Sequence, residues 1–180
     1  MTTSSPEREL CPVCHFEWAV IDPDEVSPRI NVAVGQLATM LSADTELASR
    51  RPSAERWSCV EYGSHLRDVL LNVRERLILT SLEDVPSPAP LYREERVTLG
   101  LYAGDSPATV SADLEMSARL FTATFDVLRP TFGERTLIYS RLNGDLRTLY
   151  WTGAQVLHEC EHHLSDVRDN VVLLSDGDHR

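Results

Sequence analysis

Apolar residues recur every three or four positions in four separate stretches of the chain, divided by polar or proline-rich segments, which is the pattern of amphipathic helices. The first stretch sets Ile30, Val34, Leu37, Ala38 and Leu41 on one stripe, with Ser27 as its cap and Pro28 as its first helical residue. The second opens on Ser58-Cys59-Val60-Glu61, a capping box, and continues through Tyr62, Leu66, Val69, Val73 and Leu77. The third starts at Ser106-Pro107, carries Val110, Leu114, Ala118, Phe121, Phe125 and Leu128, and is expected to stop at Pro130. The fourth is expected from Thr148 to Leu174. Before it, Leu137 to Arg147 reads as two short extended arms around an Asn143-Gly144 hairpin turn. Ala43 to Arg56 reads as loop, and Glu83 to Asp105 as a long proline-rich connection of the kind that often shapes a binding site.

Four such helices bury their stripes most simply against one another, so the expected fold is all-α, a four-helix bundle with a short hairpin-like segment before the last helix. Residues 24–174 are expected to form the bundle, 1–23 an N-terminal segment and 175–180 a frayed, disordered tail. At 180 residues and 42% hydrophobic content the chain suits one domain with a real core. Its formal charge of -11 argues against nucleic acid or an anionic membrane as partner, because either needs a basic surface. No apolar run reaches the length of a membrane span, and Met1-Thr2-Thr3-Ser4-Ser5-Pro6 lacks the features of a signal peptide, so a cytoplasmic location is expected. The four cysteines then read as thiols or metal ligands rather than disulfides.

Candidate chemistry sits on the last helix, which reads His158-Glu159-Cys160-Glu161-His162-His163. The step from His158 to His162 stacks two imidazoles on one face. Trp151, Ala154, Gln155, His158, His162, Ser165, Asp169 and Val172 share that stripe, which mixes apolar groups with imidazole, hydroxyl and carboxylate. A buried face of that kind needs polar partners, and a metal would supply them. His65, at the inward edge of the second helix, offers a third imidazole, so His65, His158 and His162 are the expected metal ligands. His163 points to another side and is read as a non-ligand, Cys160 as packing or surface, and Glu159 as an exposed helix residue that could still act as an acid or base near the metal. Bare histidine pairs on helices are also ordinary surface residues. The same stretch satisfies the metallopeptidase pattern H-E-x-x-H, but no suitable third ligand follows it and His65 already provides one.

Trp57-Ser58-Cys59-Val60-Glu61-Tyr62-Gly63-Ser64-His65-Leu66-Arg67-Asp68 resembles the "W-S-x-x-E-x-x-x-H-x-x-D" segment of the DinB superfamily, the YfiT-like metalloenzymes. His158 to Val167 is similar to the family's "H-x-x-x-H-H-x-x-D" segment, in the right order and at the expected separation. The resemblance extends from Asp24 to Leu174 and implies a DinB/YfiT-type bundle with one divalent metal on His65, His158 and His162. It also implies the chemistry of the family, which includes thiol-dependent S-transferases and a mycothiol-dependent isomerase. The isomerase branch carries a glutamate where this chain has His158, which sets the chain apart from that branch.

Cys11-Pro12-Val13-Cys14-His15 lies outside that pattern. A C-P-x-C knuckle suits a structural zinc, but such a site needs four ligands. A second chain in a homodimer, Cys59 or His15 could complete it; a redox pair or a plain exposed pair are the alternatives. Arg67, Arg74 and Arg76 are candidates to hold an anionic substrate or a low-molecular-weight thiol, though charged helix residues are more often simply solvated. Neutral imidazole ligands leave a metal positively charged and able to activate thiol or water. The expected function is therefore a thiol S-transferase acting on a small molecule, with a hydrolase or a non-catalytic metal- or thiol-binding protein as alternatives. Three histidines suit zinc, nickel, iron and copper alike.

Overall fold

A computed structural model describes residues 9–140 and 144–177. Six helices and one hairpin follow in order: α1 (Pro23–Ala43), α2 (Thr45–Ser49), α3 (Cys59–Leu82), α4 (Arg93–Thr98), α5 (Pro107–Phe132), β1 (Thr136–Ser140), β2 (Asp145–Thr148) and α6 (Leu149–Gly177). The four long helices form the expected bundle. Each of α1 and α3 packs against both α5 and α6, while α1 with α3 and α5 with α6 face each other across the diagonals. Ile30, Leu37 and Leu41 of α1, Leu66, Leu70 and Leu77 of α3, Phe121 and Phe125 of α5, and Leu149 and Leu157 of α6 are fully buried between them. None of the described helices is long and apolar enough to cross a membrane.

Local signals explain most boundaries. Ser58 and Glu61 close both halves of the capping box of α3, with Ser58 N donating to Glu61 Oε2 at 2.8 Å and Glu61 N to Ser58 Oγ at 3.1 Å. Ser106 caps α5, and Thr148 Oγ1 accepts from Trp151 N at 3.0 Å at the start of α6. Helix α1 begins earlier than expected: Asp22 is the cap and Pro23 the first-turn proline. Pro28 instead lies inside the helix on its exposed side, where the carbonyl left without an N–H partner can reach water, and Ser27 Oγ donates to Asp126. Pro130 likewise does not stop α5, which runs on to Phe132; a proline in the last turn forfeits a single backbone bond.

The two connections read as loop each hold a short helix, α2 and α4. The hairpin forms with β1 and β2 antiparallel, although Asn143 of its turn lies outside the described residues. It is fastened to the α3–α4 connection by Ile138 N donating to Pro86 O at 2.9 Å, and it brings Tyr139 against Trp151 and Arg76. Helix α6 continues to Gly177, so part of the expected tail is helical, while residues 178–180 lie outside the described set. Gly153 of α6 leaves room for the Phe125 ring of α5: a Cβ there would stand 2.3 Å from it.

Candidate metal centre

On α6 the sides of the helix are distributed differently from the expected stripe. Leu149, Val156, Cys160, Val167 and Leu174 form the buried arc, whereas Ser165, Asp169 and Val172 are exposed. At 3.6 residues per turn, His163 and Glu159 lie about 35° and about 75° to one side of its centre, and His162 and His158 about 135° and about 175° away, on the outer face. The expected triad is therefore divided between two clusters. His65 stands with Glu159 and His163, whose ligand atoms all lie within 4.8 Å of one another. His158 and His162 stand with Cys11 and Cys14 in a second group of the same tightness.

In the first cluster His65, only 1% exposed, projects from α3 with neither ring nitrogen hydrogen-bonded. Its Nε2 lies 3.6 Å from Glu159 Oε2, and His163 Nε2 lies 3.4 Å from the same oxygen. Gln155 Nε2 donates to the other carboxylate oxygen at 2.7 Å, and Trp18 Nε1 donates to Gln155 Oε1 at 2.8 Å. His163 Nδ1 donates to Asp166 Oδ2 at 2.8 Å, which leaves Nε2 free to face Glu159. Glu159 is thus not an exposed helix residue, and His163 is 9% exposed inside the cluster. Burial opposes the charge on His163, but the hydrogen bonds to Asp166 and Glu159 prevail and push its pKa up to about 9. Burial would also raise Glu159, yet the adjacent imidazoles of His163 and His65 hold it well below the usual carboxylate range.

Orphaned nitrogens on a buried histidine are costly unless something pairs with them, and two imidazoles with one carboxylate converging on a point are the donors a catalytic divalent metal takes. The residues therefore fit a metal, and the carboxylate in the set is Glu159.

His65 and Glu159 open onto a cavity of about 260 Å³ between α3, α6 and the α3–α4 connection, lined also by Val69, Asn72, Val73, Arg76, Leu91 and Tyr139. Arg76 donates to Ala89 O at 2.8 Å and lies 5.4 Å from the centre of the Tyr139 ring. Asn72 Oδ1 is buried with no hydrogen-bond partner. Tyr139 is pushed up to about 12 by burial and by the charge of Glu159. Arg67 is engaged elsewhere, with Asp68 and Asp105 at 3.1 and 3.0 Å, and Arg74 with Thr124 and Glu75. Of the expected anion-holding arginines, only Arg76 reaches this cavity.

In the second cluster Cys11 Sγ lies 3.9 Å from His162 Nδ1. Neither His15 nor Cys59 joins it: Cys59 is buried against the Val167 carbonyl. A third group, His162, His163 and Asp166, links the two, with His162 Nε2 3.8 Å from the Asp166 oxygen that His163 also contacts. The H-E-x-x-H reading fails on orientation, because the glutamate and the two histidines of that pattern belong to different clusters.

Glu159 and His163 repeat the four-residue spacing of His158 and His162 one position later, and spacing alone cannot choose between the pairs. The pair nearer the apolar arc of α6 is selected once Cys160 is known to be buried in that arc.

Comparisons with known proteins agree with this architecture. The solved structure of YfiT from Bacillus subtilis, described as a probable metal-dependent hydrolase with an unusual four-helix bundle topology, superposes with a TM-score of 0.73 at 19% identity. The alignment covers 82% of this chain and 85% of that one. No curated protein sequence matches the chain. Residues 35–167 match the sequence profile of the DinB superfamily, and over that span, most of its length, the chain belongs to the DinB superfamily.

Proposed function

We propose that this chain is a metal-dependent enzyme that activates a nucleophile, a low-molecular-weight thiol or water, against a small organic anion. The observation that carries the reading is the convergence of His65, Glu159 and His163, of which His65 and Glu159 line a largely apolar cavity that also holds Arg76. A divalent metal on two neutral imidazoles and one carboxylate keeps a net positive charge and lowers the pKa of a bound water or thiol toward neutrality.

The chain's own residues supply the rest. Gln155 fixes the Glu159 carboxylate, and Asp166 fixes which nitrogen His163 presents. Val69, Val73 and Leu91 make the cavity apolar, which strengthens any charge interaction inside it. Arg76, braced by the Ala89 carbonyl and the Tyr139 ring, is placed to hold a substrate carboxylate, and Asn72 Oδ1 to accept from a substrate hydroxyl or amine. The cavity is several times the roughly 30 Å³ of one water, a size suited to a small organic molecule. Thiol transfer suits such a site because a thiolate in an apolar pocket is a strong nucleophile; hydrolysis is the second reading, favoured by the likeness to YfiT, itself described as a probable hydrolase.

The test is metal content together with turnover. His65→Ala and His163→Ala should each lower bound metal by one equivalent per chain while circular dichroism remains helical. Full metal retention in His163→Ala would remove the basis of the reading. In the metal-loaded wild-type chain, a change in the metal's X-ray absorption on adding a thiol, with turnover of electrophiles only when thiol is present, marks a transferase. Cleavage of esters or amides without that response marks a hydrolase.

A further inference from the structure

We infer that the chain carries a second, structural metal site, a zinc ion held by Cys11, Cys14, His158 and His162, which fastens the N-terminal segment onto the outer face of α6. The four ligand atoms lie within 4.8 Å of one another. Bond lengths of ~2.3 Å to sulfur and ~2.0 Å to nitrogen place tetrahedral ligands roughly 3.3–3.8 Å apart, so movements of about an ångström complete the site. One ligand pair, Cys11 Sγ and His162 Nδ1, already stands at 3.9 Å.

The backbone around the cysteines is folded for this role. Cys11 N donates to Phe16 O at 2.9 Å and His15 N to Cys11 O at 3.0 Å, so residues 11–16 return on themselves in a tight knuckle. His15 adopts φ 58°, a left-handed conformation that a residue without special need avoids. The two cysteines therefore sit in a turn between the bridged residues Leu10 and Glu17, whereas C-x-x-C redox centres place theirs at the start of a helix.

Burial supplies the independent observation. His158 lies on the face of α6 opposite the bundle core, yet both its ring nitrogens are buried and without a hydrogen-bond partner. What covers them is the N-terminal segment: the His158 ring centre is 5.2 Å from that of Phe16 and 4.7 Å from that of Trp18. Covering a histidine while orphaning its nitrogens costs free energy that a metal bond recovers. Two thiolates neutralise a divalent ion, so the completed site can be buried without a net charge, and four protein ligands close it to substrate. A Cys2His2 tetrahedral set selects zinc.

The consequence reaches the bundle site. The segment that the knuckle anchors carries Trp18, whose Nε1 donates to Gln155, and Gln155 donates to Glu159. His162 and His163 also share Asp166. The structural ion thus positions a residue that supports the catalytic-type cluster without touching it.

The test uses the full chain with zinc, and with cobalt in its place. Wild type should hold one zinc equivalent that a thiol-specific mercurial releases, and Cys11→Ser/Cys14→Ser should hold one equivalent fewer. Cobalt-substituted wild type should show a sulfur-to-metal charge-transfer band that is lost in Cys14→Ser and kept in His163→Ala. Because the mercurial and cobalt measurements are made on wild type, they stand even if the double variant fails to fold. No mercurial-sensitive zinc, no charge-transfer band, or a Cys11–Cys14 disulfide in protein whose zinc content is unchanged by reduction would each overturn the inference.

Discussion

Asp166 Oδ2 accepts from His163 Nδ1 at 2.8 Å, and this one bond decides which nitrogen of His163 meets Glu159 and His65. Below pH ~9 the metal-free ring carries a proton on both nitrogens; once a metal displaces one, committing Nδ1–H to a carboxylate leaves Nε2 as the lone-pair donor toward the cluster. The same oxygen lies 3.8 Å from His162 Nε2, placing one carboxylate behind a histidine of each cluster.

Asp166→Asn should therefore weaken the bundle metal about 10- to 100-fold without abolishing it, because the ligands remain while the orientation and basicity of His163 are lost. Competition with a chelator of known affinity measures this. Unaltered affinity would mean that Asp166 serves only the ion pair with Arg56, from which it lies 4.0 Å.

Much of this architecture is legible in the residues. The capping box at Ser58 and the four apolar stripes place α3 and the bundle, and the resemblance carried by Trp57 to Asp68 and by His158 to Val167 leads to the family that the profile match shows. Prolines mislead at both ends of the reading: Pro28 and Pro130 lie within helices because an exposed or terminal proline costs only one backbone bond. The ligand set is harder. On a helix buried over a wide arc, two pairs at the same spacing both meet partners, and which partner each meets depends on tertiary packing. Placing His158 and His162 on the outer face of α6 requires knowing that Cys160 is 1% exposed, and covering that face requires knowing where residues 9–22 return. Neither follows from periodicity.

Gly153→Ala tests the packing on which α6 is set. A Cβ would stand 2.3 Å from Phe125 Cε2 and 2.5 Å from its Cζ, so the ring must leave its rotamer or the diagonal pair α5 and α6 must part. Overpacking of this kind costs about 1–3 kcal/mol, which chemical denaturation would register as a lower midpoint at unchanged slope. Gly35 has nothing within 4 Å of a Cβ, so Gly35→Ala at that helix position is the control and should be neutral or slightly stabilising.

The metal-free protein should lose stability as pH rises through about 9. Burial opposes the charge of His163, but Asp166 and Glu159 raise its folded pKa to about 9, above an ordinary histidine value near 6.5. The folded state therefore binds a proton that the unfolded chain has released between those two values, and the stabilisation is fully present below pH ~6.5 and lost as pH climbs through ~9. Glu159 and Asp166 act in the opposite sense: burial would raise them, but hydrogen bonding to His163 lowers both, so their contribution is present above the ordinary carboxylate range and fades as pH falls below it. The metal-free chain should accordingly be most stable between the carboxylate range and pH ~6.5, and His163→Gln should flatten the alkaline arm. A metal at the bundle site displaces the same proton, so its affinity should rise with pH and level off near 9. Thermal unfolding of chelator-treated protein across this range, alongside titration of the His163 ring protons by NMR, measures both effects; an alkaline arm unchanged in His163→Gln would show that another group sets it.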